Sequence, residues 1–260
     1  MSRIADAFQN KKAFIAYLMA GDPNLEASGE LLLAAQEAGA DLVEIGIPFS
    51  DPIAEGEVIQ AASVRAMDAG TDLEGIFRMV ASIRDQMRIP MVFMTYVNPV
   101  FVYGYERFFA RCQEIGICGI IIPDLPFEEQ GEVKAVAARF QVEAVTLAAP
   151  TSKERVARIA KEAEGFLYLV SSMGVTGVRS SITTDVPGMV REIRQYTGLP
   201  VAVGFGIGTP EQAGTFAAMA DGVIVGSALV RLVAQHGTDA GPHLAALIRG
   251  MKSSMEVRLC

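Results

Sequence analysis

Short apolar runs recur along the chain at a steady interval, with amphipathic stretches between them. The runs are AFIAYLMAG (13–21), DLVEIGIP (41–48), PMVFMTY (90–96), GIIIPDLP (119–126), EAVTLAAP (143–150), FLYLVSS (166–172), PVAVGFG (200–206) and DGVIVGS (221–227). They are near-continuously apolar rather than alternating, as parallel strands covered on both faces require. The segments LLLAAQEAGA, FFARCQEIGI, VKAVAARFQV and TFAAMA between them carry helical periodicity, and several stop at glycine. Eight strand-then-helix units in 260 residues predict an α/β chain folded as a single (β/α)8 TIM barrel, one domain over residues 1–260. The competing doubly wound open sheet usually carries a glycine-rich fingerprint after its first strand, where this chain has AGDPN.

In a barrel of this kind the chemistry gathers at the C-terminal ends of the strands. Three of those ends are glycine-rich: GVTG (174–177), GFGIGT (204–209) and VGSALV (225–230). Glycines let backbone N–H groups approach an anion, and a helix opening after Gly226-Ser227 adds its positive dipole end. A phosphate cradle is one reading; tight strand-to-helix turns with no ligand are the other. Such a cradle needs no lysine or arginine.

The absences narrow the chemistry further. His236 and His243 lie past the last strand, and no lysine stands within a strand or at its last residue. Schiff-base chemistry, clustered histidine ligands for a metal and a serine–histidine pair therefore have no visible footing. Carboxylates and tyrosines remain as proton carriers. Glu44 is the sharpest candidate, because it sits inside an apolar run where burial raises a carboxyl toward neutrality. Its alternative is a core glutamate satisfied by a tyrosine or a backbone group. Glu55 reads either as a site residue or as a solvated loop charge, and Asp51 equally as part of a turn. Asp124 either lines the site or braces its loop. Tyr96 and Tyr168 are core or pocket wall.

Charge and cysteine content bear on partners and compartment. The balance of 22 basic against 30 acidic residues gives −8, with no basic run, which argues against nucleic acid or an anionic membrane surface. Three cysteines (Cys112, Cys118, Cys260) without a CxxC suggest a reducing, cytoplasmic compartment. The N-terminus has no apolar signal-like core, and no apolar run reaches the ~18 residues of a membrane helix.

EIGIPFSDP followed by AEG, then MTYVNP, IIPDLP, GVTG, GFGI and DGVIVGS in this order resemble the tryptophan synthase alpha subunit family, from about Ala13 to about Val230. The resemblance implies a TIM barrel that cleaves indole-3-glycerol phosphate to indole and glyceraldehyde 3-phosphate, with no cofactor or metal of its own. It implies a pyridoxal-phosphate beta subunit as partner in an alpha2beta2 tetramer. It assigns proton transfer at indole C3 and the glycerol hydroxyl to Glu44. The family's second carboxylate, an Asp that takes the charge developing at the indole N–H, aligns with Glu55, and the proline two residues on is Glu57. An added methylene matters, since a displacement of ~1 Å can cost ~100-fold in rate. The resemblance also assigns the phosphate grip to Thr176, Gly177, Gly206, Gly226 and Ser227. It lines the indole pocket with Tyr17, Tyr96, Tyr168 and Phe205. It places the loop SDPIAEGE, with Asp51 and Pro52, and the MTYVNP turn on the partner face. The stretch VTGVRSSITTDV (175–186) is itself long, polar and glycine-bounded, and reads as a mobile lid. Ser172-Met173 stand where the family often has an arginine. The alternatives are a stand-alone indole-3-glycerol-phosphate lyase, or a weakly active barrel that mainly binds and regulates a beta subunit.

Overall fold

A computed structural model of the chain describes residues 4–149, 152–170, 185–204 and 206–257. The apolar runs form eight strands: β1 (Ala13–Met19), β2 (Leu42–Gly46), β3 (Met91–Met94), β4 (Ile117–Ile121), β5 (Glu143–Ala148), β6 (Leu167–Val170), β7 (Val201–Gly204) and β8 (Gly222–Val225). Each pairs in parallel with its sequence neighbours, and β1 pairs with β8, which closes the barrel. Helices follow the strands and cover the outside.

The strands end earlier than the apolar runs. Ile47-Pro48 and Ile122-Pro123 leave the sheet toward the loops, where proline supplies no ladder hydrogen bond. β4 begins at Ile117 rather than Gly119, because the preceding helix Tyr105–Ile115 stops at Gly116, which adopts the left-handed conformation at φ 83°. MTYVNP is more than a turn: Val97–Tyr103 is a helix, with Asp124 Oδ1 accepting from the Val97 N–H at 3.0 Å. Asp124 therefore braces its loop.

Two apolar layers follow from the period of two along each strand. Phe14, Ala16 and Leu18 of β1 pack outward against the helices, while Ala13, Ile15, Tyr17 and Met19 face the barrel interior. On β2, Val43 and Ile45 belong to the outer layer and Leu42 to the inner one, so Glu44 points inward. The bottom of the barrel is closed by an N-terminal plug. Ile4, Ala7 and Phe8 join the inner layer, with the Phe8 ring 5.5 Å from that of Phe166. Gly119 makes room for the plug, since a methyl group there would lie 2.6 Å from Ile4 Cδ1. Among the described residues no helix is long and apolar enough to cross a membrane.

Ile4 is fully buried, so Ile4→Ala will lower unfolding stability by about 2–5 kcal/mol, read from urea denaturation, through lost transfer energy and a cavity under the barrel.

Candidate active site

Glu44 is 0 % exposed, in the middle of β2. Neither of its carboxyl oxygens has a hydrogen-bond partner among the described residues. Burial, and then the charge of Glu55, raises its pKa from 4.5 to about 8. A partner that satisfied Glu44 within the core is not found among the described residues, which favours the proton-transfer reading of this position over the structural one.

Glu55 joins it from the loop after β2. Its local sequence, AEGE, is polar, yet Glu55 is only 5 % exposed, and burial raises its pKa to about 7. The reading of Glu55 as a solvated loop charge is thereby overturned. The loop is folded over it by several contacts. The Ala54 N–H donates to the Tyr96 hydroxyl at 3.0 Å, and the Phe49 and Tyr96 rings stack with centroids 5.0 Å apart. The Phe49 N–H donates to Ser63 Oγ at 3.1 Å, and Gln60 Nε2 donates to the Glu55 carbonyl at 2.7 Å. Ser63 and Gln60 belong to the helix Glu57–Asp68, so the loop is fastened to the helix that follows it. That helix is tied to the end of β1 by Arg65, which makes a two-pronged ion pair with Asp22 at 2.9 and 2.7 Å. Asp51, by contrast, is exposed, and its carbonyl accepts from the Ile53 N–H in a tight turn.

Tyrosines wall the interior. Tyr17 lies directly across the β1–β2 ladder from Glu44, and Tyr168 stands on β6 at 5 % exposure. Both rings occupy space that glycines leave open. A methyl group at Gly46 would sit 2.2 Å from the Tyr17 hydroxyl, and one at Gly204 would sit 2.5 Å from that of Tyr168. Tyr96 is 2 % exposed, and its hydroxyl is held by the loop as described. The three tyrosines are thus brought together with both glutamates.

Of the phosphate-cradle residues, Gly206, Gly226 and Ser227 are described. Gly206 has φ +84°, a conformation suited to glycine. Ser227 opens the ten-residue helix Ser227–His236, which no side chain caps. Gly226 also has a packing reason, since a methyl group there would lie 3.3 Å from the Tyr17 ring. The neighbouring helix Pro210–Ala217 is closed by its own capping box of Thr209 and Gln212. Thr176, Gly177 and Phe205 lie outside the described residues, as do residues 175–184 of the expected lid. At its end, Asp185 caps, and Val186 begins, the helix Val186–Ile193.

The Asp22–Arg65 pair was not legible in the sequence, because its members stand 43 residues apart. Nor was the exposure of Ile53 (76 %), Phe101 (67 %) and Val102 (75 %) around the barrel mouth. Among the described residues no group of three or more His, Cys, Asp or Glu could hold a metal ion.

Glu44 ties stability to pH. Between about 4.5 and about 8 the folded protein keeps a proton that the unfolded chain has released, so this group's contribution falls as pH rises through that window. Glu44→Gln removes the dependence. The variant will match wild type near pH 5 and exceed its stability by several kcal/mol near pH 9, read from denaturation midpoints at the two pH values.

Comparison with known proteins agrees along nearly the whole chain. The family model described as "Tryptophan synthase alpha chain" matches residues 4–257. A curated tryptophan synthase alpha chain from Lactiplantibacillus plantarum is 51 % identical over 237 residues, covering 91 % of this chain and 90 % of that one. One from Lacticaseibacillus casei is 44 % identical over 258 residues, covering 99 % and 97 %. Among solved structures, tryptophan synthase from Mycobacterium tuberculosis superposes with a TM-score of 0.88 at 34 % identity, covering 98 % of each chain. The alpha subunit from Legionella pneumophila gives 0.87 at 35 % identity and 99 % of each.

Proposed function

The chain belongs to the tryptophan synthase alpha chain family, and from that premise we propose that Glu44 and Glu55 divide the acid–base work of its reaction. The reaction is a lyase step of tryptophan biosynthesis, the cleavage of indole-3-glycerol phosphate to indole and glyceraldehyde 3-phosphate. The observation that carries the proposal is the burial together of two carboxyl groups, Glu44 within the barrel and Glu55 on the loop after the same strand, both raised toward neutrality.

The bond to be broken joins indole C3 to a carbinol carbon of the glycerol chain. Indole leaves as a neutral molecule only if C3 is protonated first. Glu44, protonated near neutral pH, gives that proton and becomes a carboxylate. As the C–C bond breaks, its electron pair returns to the ring and the carbinol hydroxyl becomes the aldehyde. The hydroxyl proton goes to Glu44, which ends the cycle as it began. While C3 is protonated, positive charge spreads to the indole nitrogen, and the Glu55 carboxylate accepts the hydrogen bond from that N–H. Tyr17, Tyr96, Tyr168 and Phe205 wall the indole ring. The N-terminus of the helix Ser227–His236, with Gly206, Thr176, Gly177 and Gly226, holds the phosphate through backbone N–H groups. The chain acts as one barrel domain, and three cysteines without a CxxC support a cytoplasmic setting.

Members of this family generally work with a beta subunit, and the proposed partner here is such a subunit in an alpha2beta2 tetramer. Ile53 sits on the loop that carries Glu55, and Phe101 and Val102 on the helix that follows Tyr96. These exposed apolar side chains, with Asp51 and Pro52, are the surface offered to it. Because Tyr96 holds Ala54, pressure on either segment reaches Glu55.

The role division sets the pH profile. Glu55 must be ionised and Glu44 protonated, so kcat for indole release will peak between about 7 and about 8 and fall on both sides. Glu44→Gln and Glu55→Ala will each lose at least ~100-fold in kcat. Full activity in either variant overturns the assignment of that residue. The partner surface is checked separately, by adding a beta subunit. Wild type will be accelerated, and Ile53→Asp will lose that acceleration while keeping the rate of the lone chain. Equal kcat for wild type with and without the partner would establish a stand-alone lyase instead.

A further inference from the structure

The Tyr17 phenol is a buried polar group that the reaction outlined above does not use. Tyr17 is 4 % exposed, and its hydroxyl has no hydrogen-bond partner among the described residues. Three groups in this interior share that condition: the Tyr17 hydroxyl, both oxygens of Glu44 and Oε2 of Glu55. They belong to one cluster. Tyr17 faces Glu44 across the β1–β2 ladder, and its hydroxyl lies over Gly46, two residues further along the same strand. The charges of Glu55 and then Glu44 act on the phenol, ahead of the weaker influences of Tyr96 and Tyr168. A buried donor and two buried carboxyls in one interior are each costly alone; in this structure the hydroxyl donates to neither carboxyl, and a hydrogen bond drawn to whichever of them ionises would relieve donor and carboxylate together.

We propose that the Tyr17 hydroxyl is a positioning residue, a single donor shared by the Glu44 and Glu55 carboxyl groups that holds whichever of them is ionised. The inference rests on the reading of Glu44 and Glu55 as the acid–base pair. A phenol suits the task because burial and its two acidic neighbours keep it in the O–H form. It can donate to a carboxylate and accept from a carboxylic acid at the same time. When Glu55 is the charged member, the hydroxyl donates to it and fixes the carboxylate for the indole N–H. When Glu44 has given up its proton, the same O–H turns to it and steadies the anion until the carbinol proton arrives. No bond is made or broken at Tyr17. Besides the hydroxyl, the ring carbons Cζ and Cε2 lie over the open face of Gly46, and Cδ1 and Cγ over that of Gly226.

Tyr17→Phe removes one oxygen and leaves that packing in place. Its kcat for indole release will fall by about 10–100-fold with KM for indole-3-glycerol phosphate changed less than threefold. The acidic limb of its pH–kcat profile will move to higher pH, because a carboxylate that loses a donor is harder to ionise. The groups facing Tyr17 that can titrate are Glu44, Glu55, Tyr96 and Tyr168, and only the two carboxyls titrate near that limb. Retention of kcat and profile within twofold overturns the proposal. So does a loss confined to KM or thermal stability with the profile unmoved, the signature of a packing role. Glu44→Gln and Glu55→Ala run alongside separate the two levels. If they are inactive and Tyr17→Phe is not, only the shared donor is wrong. If both retain wild-type activity, the acid–base pair fails and the shared donor fails with it.

Discussion

A fully buried carboxyl group with no hydrogen-bond partner among the described residues is the constraint on which this structure depends. Water would solvate Glu44 and return its carboxyl toward the ordinary value of 4.5, so the packing around it matters for what it shields from solvent. The closed strand ladder removes any sheet edge through which solvent could enter. Below Glu44 the interior is filled by Ile15, Leu42, Val92 and Phe166, and the N-terminal plug of Ile4, Ala7 and Phe8 seals the lower end. Above it the tyrosines stand where glycines have cleared space. A larger residue at Gly46 would push Tyr17 off Glu44, so the EIG of the β2 run is one functional unit rather than a charged residue beside a turn.

The second carboxylate is delivered by a different device. Glu55 is on a loop, and loops are the least rigid part of most folds. Here the loop is clamped at both ends. Phe49 stacks on Tyr96 and donates to Ser63, Ala54 donates to Tyr96, and Gln60 reaches back to the Glu55 carbonyl. The helix that follows is fastened to β1 through Arg65 and the buried Asp22. Charge-assisted, two-pronged pairs of this kind fix orientation as well as distance. Ile53 protrudes from the same loop, so the segment that presents the carboxylate also presents an apolar handle.

How much of this was legible in the sequence follows from how local each signal is. The strands were legible, because β runs covered on both faces are apolar throughout and recur at a constant interval. Glu44 was legible for the same reason, as a charge against an apolar background. Glu55 was not legible from its neighbours alone, since AEGE reads as solvated loop; the loop is held down by Tyr96, which stands between β3 and the helix Val97–Tyr103 and accepts from the Ala54 N–H. The Asp22–Arg65 pair and the plug are tertiary facts: Ile4, Ala7 and Phe8 are too few to show a period, and their partners Phe166 and Gly119 lie far along the chain. The helix Val97–Tyr103 looked like a turn because Asn-Pro marks turns locally, while the amide it exposes is satisfied by Asp124 from another loop.

Glu55 stands where the sequence pattern of the family has the shorter aspartate, and the structure indicates how the extra methylene is accommodated. A longer side chain in an exposed loop would simply add rotamers. At 5 % exposure it must instead be packed, and the loop wraps it with Phe49 and Tyr96 stacked alongside. Burial in turn removes solvent from the carboxyl and lifts it to about 7, within reach of Glu44 at about 8. Two acids so placed cannot both ionise cheaply, because the charge of the first raises the cost of the second. Near neutral pH the pair therefore holds about one proton between its two members. That is the condition the proposed mechanism needs, one acid to protonate carbon and one carboxylate to meet the nitrogen. The role of each group is set less by its own identity than by the presence of the other in the same dry space.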